Sequence, residues 1–237
     1  MTEATTVGRL VAERPSRARV FERFGIDYCC GGGRSLEEAS ASAGVAVDRL
    51  LAELEAVPAL AGDRDWTRAT IRETVEHILR EHHDWLRVEL PRIDGLAEKV
   101  ARVHGDGHPE VVEILSLFRI LRAELEPHME KEEQILFPAA VGLEEQGEIV
   151  LGCHGRIATL DGPVQRMEHE HREVGELLER LVQLTGGHVA PDHACNTWRA
   201  LWDSLLDLDR NTRAHIHLEN DVLHVRIRAL EAVAPGA

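Results

Sequence analysis

The chain has 237 residues, a formal net charge of -15 and only 4% aromatic side chains. Its 42 acidic and 27 basic residues argue against a nucleic-acid binder and against an anionic membrane surface as partner, because both need clustered Lys and Arg. With 43% apolar and 29% charged residues, the chain can bury a core in one large domain or in a medium domain with a small appendage. The number of histidines, 14, is unusually high for a chain of this length.

Residues 1–56 predict a small helical domain. Helical spacing in this stretch is interrupted by a proline and by glycines, and a turn of sequence Asp-Tyr-Cys-Cys-Gly-Gly occupies residues 27–32. The adjacent Cys29 and Cys30 cannot bridge each other without strained local geometry, so we interpret the cysteines as reduced thiols. A linker is predicted over 57–65. The beginning of the sequence lacks the apolar core of a signal peptide, so we expect a cytoplasmic protein.

Residues 66–237 predict an antiparallel up-down-up-down four-helix bundle, and the whole chain is expected to be all-α. Strand signals are scarce, whereas amphipathic helical spacing is frequent. The predicted helical stretches are 67–90, 109–136, 162–184 and 192–230, with Pro91 kinking or ending the first. Leu79 and Ile135 are expected on the apolar stripes. A bundle is the simplest way to bury four such faces.

Four histidines and two glutamates fall on these apolar stripes at helical spacing. The six residues are His83, His128, Glu132, His171, His215 and Glu219. Each glutamate follows a histidine by four residues, so each His-Glu pair shares one helix face. Burying two carboxylates beside four imidazoles is costly unless a cation compensates their charge. The pattern therefore predicts a metal centre, although any single histidine of this kind could be a core residue bonded to a neighbour.

The spacing of these residues also indicates an internal repeat. His83 and His128 are 45 residues apart, and His171 and His215 are 44 apart. Two copies of a helix pair would place the six groups about a pseudo-twofold axis. Six ligands exceed the four that zinc takes and suit two metals with bridging carboxylates, and this donor set favours iron or manganese. We expect the other histidines mainly at solvent-facing or supporting positions, with His169 and His217 (each two residues from a proposed ligand) on the wrong side of their helices.

Three segments resemble a known family. Residues 128–138 (HMEKEEQILFP) and 215–220 (HIHLEN) are similar to the hemerythrin-like domain of the iron-sulfur cluster repair di-iron proteins, also called the repair of iron centres family. Residues 25–32 (GIDYCCGG) resemble the short N-terminal domain of that family. The resemblance implies a cytoplasmic bacterial protein with a non-haem di-iron centre that protects or rebuilds iron-sulfur clusters after nitric oxide or peroxide damage.

The resemblance also implies site residues and partners. The iron ligands of the family fall on the same six residues as the stripe argument, and its adjacent thiols fall on Cys29 and Cys30, as a docking, redox or transient ligand pair. The alternative for the thiols is two small residues buried in a tight turn. The implied cofactor is two non-haem iron ions with oxo and carboxylate bridges. Damaged iron-sulfur proteins are the expected clients, with an electron donor and without nucleic acid or membrane, and a homodimer is left open.

Three features depart from the family pattern. The sequence Leu-His-Val at 223–225 replaces Leu-Phe-Pro, so the fourth helix is expected to continue past an unusual histidine, His224. The segment 139–166 is longer than usual and contains Cys153 and His154. It could be a lid, a partner contact or a passive loop, and we favour the loop. Cys195 is assigned no role.

Three functions remain open at this point. The first is iron donation to a damaged cluster, and the second is a di-iron oxidoreductase acting on nitric oxide or peroxide. The third is a carrier or sensor of oxygen or nitric oxide of hemerythrin type. The thiol pair favours repair, because a plain carrier has no need of thiols. No catalytic residue is predicted beyond the metal ligands.

Overall fold

The computed structural model describes residues 1–149 and 159–233, and these residues form an all-α fold. The described residues contain no strand, and their one β-type pairing is an isolated antiparallel bridge between Thr6 and Ser35. None of the helices in these ranges is long and apolar enough to cross a lipid bilayer. The predicted all-α class is confirmed, and the up-down-up-down topology of the bundle stays a prediction.

The N-terminal part of the chain is a set of short helices, as predicted. They are α1 (Val7–Glu13), α2 (Ala18–Arg23), α3 (Leu36–Ser42) and α4 (Val47–Ala56). Helix α3 begins with a capping box, in which the Ser35 hydroxyl accepts from the Glu38 backbone N–H and the Glu38 carboxylate accepts from the Ser35 N–H. The residues between α2 and α3 contain the Cys-Cys turn.

The described residues from 71 onward form seven further α-helices, which three π-helical turns join into longer helical stretches. The α-helices are α5 (Ile71–Ile78), α6 (Asp84–His104), α7 (Pro109–Lys131), α8 (Phe137–Gln146), α9 (Asp161–Leu184), α10 (Asn196–Leu218) and α11 (His224–Glu231). The first π turn is Leu79–His83, the second is Glu132–Leu136 and the third is Glu219–Leu223. Each π turn joins two α-helices without a break in the helical path.

The chain divides into two compact units. The first unit comprises the described parts of residues 1–76, 139–161 and 213–237, and the second comprises residues 77–138 and 162–212. The predicted domain boundaries at 56, 57–65 and 66 stay predictions.

Side-chain contacts inside the second unit pair its helices in antiparallel order. In each helix pair, the residue numbers rise on one helix as they fall on the other. Between α6 and the stretch of α7 with its π turn, the pairs are Arg87–Glu133 and Asp94–Arg119. Between α7 and α9, they are Lys131–Glu170 and Glu113–Arg180. Between α10 and the stretch of α6 with its π turn, they are His82–Asn211, Arg92–Ser204 and His104–Cys195. The first of these helix pairs has the short connection, residues 105–108 between α6 and α7, that antiparallel neighbours commonly have.

The first long helix was predicted to extend to residue 90, but it continues past Pro91. Helix α6 runs through Pro91 to His104. Its buried residues continue at helical spacing on both sides of the proline, through Leu90, Ile93 and Ala97. Burial of this apolar face outweighs the backbone hydrogen bond that the proline cannot make.

The π turns shift which residues face the core. Ile135 was predicted on an apolar stripe, but it is 42% exposed, whereas the following Leu136 and Phe137 are buried. Leu79 is only half-buried, whereas Ile78 is fully buried. The prediction for Ile135 is wrong because the π turn Glu132–Leu136 holds an extra residue, so that the stripe rotates relative to uniform α-helical spacing, whereas Leu79 lies at the edge of its stripe.

Replacing the exposed Pro91 by alanine is expected to stabilise the protein. The alanine N–H would bond the Arg87 carbonyl, so we expect the free energy of unfolding to rise by about 1–3 kcal/mol. Chemical denaturation followed by circular dichroism measures the change. Pro109→Ala is the matched control, because Pro109 opens α7, where the missing N–H has no partner to lose. A loss of stability in Pro91→Ala would show that α6 depends on the proline.

Candidate metal centre

Four of the six predicted ligands lie in the second unit and meet there. They are His83 in the first π turn, His128 in α7, Glu132 at the start of the second π turn and His171 in α9. All four are at most 2% exposed. Glu132 Oε1 lies 3.0 Å from His128 Nε2, and Glu132 Oε2 lies 3.4 Å from His83 Nε2. The two oxygens of one carboxylate therefore face different imidazoles, which is the arrangement that a bridging ligand needs.

The Nε2 atoms of two histidines point at each other. His171 Nε2 lies 3.0 Å from His128 Nε2 and 3.9 Å from Glu132 Oε1. Ligand atoms of His128, Glu132 and His171 all lie within 4.8 Å of one another. Several electron-pair donors that converge in a buried space favour a cation and disfavour an anion.

The π turns place ligands at a local widening of the helix. His83 is the last residue of the first π turn, Glu132 opens the second and Glu219 opens the third. Helix α9, which carries His171, is continuous over Asp161–Leu184. The internal repeat is therefore not exact, and π turns commonly mark functional sites.

Two carboxylates that the sequence analysis missed orient the histidines. Glu133 Oε1 lies 2.7 Å from His83 Nδ1, and Glu170 Oε2 lies 2.8 Å from His128 Nδ1. With Nδ1–H donating to a carboxylate, the neutral imidazole presents the Nε2 lone pair to the buried space. Glu170 precedes a ligand in the sequence, but only the packing of α9 against α7 shows which histidine it holds.

Neighbouring cations keep these two carboxylates ionised. The hydrogen bond from His128 lowers the pKa of Glu170 to about 2 against the effect of burial, and Lys131 Nζ, at 2.5 Å, lowers it further. Burial raises the pKa of Glu133, but hydrogen bonds from His83 and Arg87 bring it below its ordinary value. Both groups are therefore acceptors at neutral pH, as an orienting role requires.

The other two predicted ligands, His215 and Glu219, lie in the first unit. They are 1% and 0% exposed, and His215 Nε2 lies 2.9 Å from Glu219 Oε1. The predicted pairing of this histidine and glutamate on one helix face is therefore present in the first unit. The helix continues past His224 to Glu231, as expected.

Three histidines expected mainly at solvent-facing or supporting positions are buried. His224 is 0% exposed, His217 is 3% exposed and His82 is 7% exposed. His217 Nδ1 donates to Asp221 Oδ2 at 3.0 Å, and its ring meets the Tyr28 ring edge-on at 5.8 Å between centroids. The expectation for His217 overlooked that a helix can be covered on a second face. His169 is exposed, as expected.

The Cys-Cys turn is held in the first unit by a carboxylate and an amide. Asp27 Oδ1 accepts hydrogen bonds from the backbone N–H groups of Cys29 and Cys30, each at 3.0 Å. Asn220 Nδ2 donates to the Cys29 carbonyl at 3.0 Å. The hydrogen bond to Cys30, together with burial, raises the pKa of the Cys29 thiol well above its usual value. Cys29 is therefore protonated at neutral pH, which disfavours a role as a reactive redox thiolate.

Two glycines allow the Cys-Cys turn to pack closely on the third π turn. A Cβ atom at Gly8 or at Gly32 would collide with the carboxylate of Asp221. The Gly8 N–H donates to the Gly32 carbonyl at 2.8 Å, which fixes the two glycines side by side. Burial raises the pKa of Asp221, although the hydrogen bond from His217 acts in the opposite direction. The turn is thus anchored within two residues of Glu219.

Among the described residues, Cys195 lies apart from these clusters. Cys195 is exposed, with its sulfur 3.3 Å from His104 Nε2. Cys153 and His154 lie outside the described residues. The alternatives for the segment 139–166 therefore stay predictions, although α8 covers its beginning and α9 its end.

Two family matches cover most of the chain. Residues 74–227 match the family described as "Hemerythrin HHE cation binding domain". Residues 3–58 match the family described as "Domain of Unknown function (DUF542)". With the buried His and Glu clusters, the first match defines the larger part of the chain as a metal-binding domain of hemerythrin type.

Relatives that match almost the whole chain identify its family within the hemerythrin type. "Iron-sulfur cluster repair protein YtfE" of Escherichia coli O1:K1 / APEC is 38% identical over 226 residues, which are 95% of this chain and 97% of that protein. The protein of the same name from Pectobacterium carotovorum subsp. carotovorum (strain PC1) is 36% identical over 222 residues, which are 93% and 95%. The chain belongs to this family of iron-sulfur cluster repair proteins, and the predicted resemblance is confirmed.

Removing the carboxylate behind His128 is expected to weaken metal binding without touching a predicted ligand. In Glu170→Ala, the His128 ring loses the acceptor that fixes its tautomer, so we expect iron affinity to fall about 10- to 100-fold. Competition with a chelator of known affinity measures the change. Glu173→Ala, an exposed position one turn away on α9, is the matched control. Equal affinities in the two variants would contradict an orienting role for Glu170.

Proposed function

We propose that the protein repairs iron-sulfur clusters damaged by nitrosative or oxidative stress by supplying iron from a labile non-haem di-iron centre. The observation that carries the proposal is the buried convergence of His83, His128, Glu132 and His171, two of which are oriented by carboxylates. The relatives named as iron-sulfur cluster repair proteins support the same function.

The proposed ligands are the six residues of the internal repeat. They are His83, His128, Glu132, His171, His215 and Glu219, at the positions that the repeated spacing of the sequence marks. The hemerythrin match spans all six positions. Their donor atoms are imidazole nitrogen and carboxylate oxygen, with no thiolate, and this set suits iron. Glu132 is the proposed bridging carboxylate, because its two oxygens face different imidazoles.

The protein side chains account for both holding and releasing the metal. Six side chains shared by two ions leave coordination positions open, and the bound irons would supply Lewis acidity and one-electron chemistry there. Glu133 and Glu170 keep the His83 and His128 lone pairs aimed inward, and Arg87 and Lys131 balance their charge. Few protein ligands per ion, some of them neutral imidazoles, make release easier than in a site with a full set of charged ligands.

We propose that damaged iron-sulfur proteins are the clients and that Cys29 and Cys30 contact them or the iron in transit. The Asp27 and Asn220 hydrogen bonds support this role, because they hold both thiols in one fixed turn. Thiols that take part in transfer must stay reduced, so we propose the cytoplasm as the compartment.

Loss of one proposed ligand should reduce bound iron. Glu132→Gln keeps the shape of the side chain but removes the charge that faces two imidazoles, and His128→Ala removes a donor atom. We expect the iron content to fall by at least half in each variant, together with a lower melting temperature of the iron-loaded protein, because bound metal stabilises the folded state. Metal analysis of protein purified without air measures the iron.

The matched control for this experiment is Glu130→Gln. Glu130 is exposed and lies two residues from Glu132 on the same stretch of chain. Undiminished iron in Glu132→Gln and His128→Ala would refute the ligand assignment, and a Mössbauer spectrum of the native protein tests whether the centre holds two coupled irons.

Loss of the thiol pair should weaken repair and spare the di-iron centre. In Cys29→Ser/Cys30→Ser, we expect unchanged bundle-bound iron and at least a several-fold slower recovery of an iron-sulfur dehydratase damaged by nitric oxide. Cys195→Ser is the control, because that thiol is exposed and outside the Cys-Cys turn. Full repair by the double variant would remove the thiols from the proposal.

The same assay separates donation from catalysis. Donation predicts that iron leaves the protein in step with the recovered dehydratase activity. Repeated consumption of nitric oxide or peroxide with an added electron donor, and without loss of iron, would instead support the oxidoreductase alternative.

A further inference from the structure

Three side chains of the Cys-Cys turn have the spacing of ligands around a single metal ion. The sulfurs of Cys29 and Cys30 are 3.8 Å apart, and Cys29 Sγ lies 3.3 Å from Asp27 Oδ1. Ligand atoms of all three residues lie within 4.8 Å of one another. Two thiolates bound to one tetrahedral ion at about 2.3 Å are about 3.8 Å apart, so the sulfurs already stand at coordination distance.

The backbone of the turn produces this arrangement. Adjacent side chains on an extended backbone point to opposite faces, which would separate the sulfurs. Here Asp27 Oδ1 accepts from both cysteine N–H groups and folds the backbone around its carboxylate. The Asn220 amide holds the Cys29 carbonyl from the third π turn. The three groups are therefore preorganised, so little conformational entropy would be lost when an ion binds.

A divalent cation would balance the charge of the cluster once it has displaced the thiol protons. Two thiolates and one carboxylate would carry three negative charges in a partly buried space. The positive charge of Arg213 acts on Cys29 and opposes part of this negative charge. A divalent ion would offset two of the three charges, and the thiols would release one proton each to solvent as it binds. Thiolate ligands select borderline transition ions over magnesium or calcium.

We infer that Asp27, Cys29 and Cys30 form a second metal site, which takes one divalent ion of the Fe²⁺ or Zn²⁺ class in tetrahedral geometry. Cys29 is buried and Cys30 is half-buried, so the fourth position is open to water or to a thiolate of another protein on the Cys30 side. An open position is a feature of sites that exchange ligands, whereas structural sites are closed. That the natural ion is ferrous iron in transit to a client rests on the proposed function.

Cobalt(II) is a probe that distinguishes this site from the His and Glu centre. Thiolate bonded to cobalt gives an intense charge-transfer absorption in the near ultraviolet, and imidazole and carboxylate do not. We expect metal-free, reduced full-length protein, titrated with Co²⁺ without air, to develop this absorption to one equivalent per chain. Cys29→Ser and Cys30→Ser should each lower it at least two-fold, and Cys195→Ser should leave it unchanged.

Asp27→Asn tests the third ligand with the turn preserved. The amide oxygen can still accept from the two cysteine N–H groups, but it lacks the negative charge. We expect Co²⁺ affinity at the thiolate site to fall at least ten-fold, with the helical content from circular dichroism unchanged. An unchanged affinity in Asp27→Asn would overturn the three-ligand site.

The remaining outcomes separate this inference from the proposed function. No thiolate absorption at excess Co²⁺, or absorption that survives in Cys29→Ser/Cys30→Ser, would overturn the inference even if iron donation is observed. Thiolate absorption that depends on the two cysteines and on Asp27 would support it even if the protein fails to restore a damaged dehydratase.

Discussion

The burial of the Glu132 carboxylate is the constraint on which the second unit depends. This side chain is fully buried and its oxygens lie 3.0 Å from His128 Nε2 and 3.4 Å from His83 Nε2. A buried carboxylate among imidazoles is expensive unless positive charge is placed between them. The helices that carry these groups bury Leu, Ile and Val on the same faces, so the polar centre is enclosed by apolar packing. A cation bound at this centre would therefore stabilise the folded domain.

Polar groups outside the ligand set decide how the imidazoles are used. Glu133 and Glu170 are partly exposed, lie close to the cations Arg87 and Lys131, and accept from the Nδ1 atoms of His83 and His128. In each chain of contacts, a partly exposed cation pairs with a carboxylate, the carboxylate accepts from an imidazole, and the imidazole faces the buried space. Such chains of hydrogen bonds fix both tautomer and ring orientation. A bundle with the same ligands but without these carboxylates would leave the imidazole tautomers unfixed.

In the first unit, the packing places two adjacent thiols on the same side of a turn. Asp27 folds the turn, and Asn220 and Asp221 tie it to the third π turn through contacts that only glycine at positions 8 and 32 permits. Burial leaves Cys29 a thiol with a raised pKa, so its chemistry depends on what displaces the proton. The divalent ion that we infer at this site would displace it, because such an ion could bond both sulfurs at their existing separation.

Helical periodicity in the sequence was sufficient to determine the all-α class, the short N-terminal helices and the inward position of residues such as His83 and His171. These features depend on local spacing, which a single sequence contains. The sequence did not predict the π turns, so it placed Ile135 in the core, and it did not identify Glu170, Asp27 or Asn220, whose roles depend on partners brought close by packing. The sequence also predicted that His217 lies on the solvent side of its helix. The side chain is buried because Tyr28 of the Cys-Cys turn, which is far away in the sequence, packs against it. The sequence by itself thus determined which residue types could bind metal, whereas the tertiary structure decided their tautomers, their orienting partners and the spacing of the two thiols, because these depend on distances between residues remote in sequence.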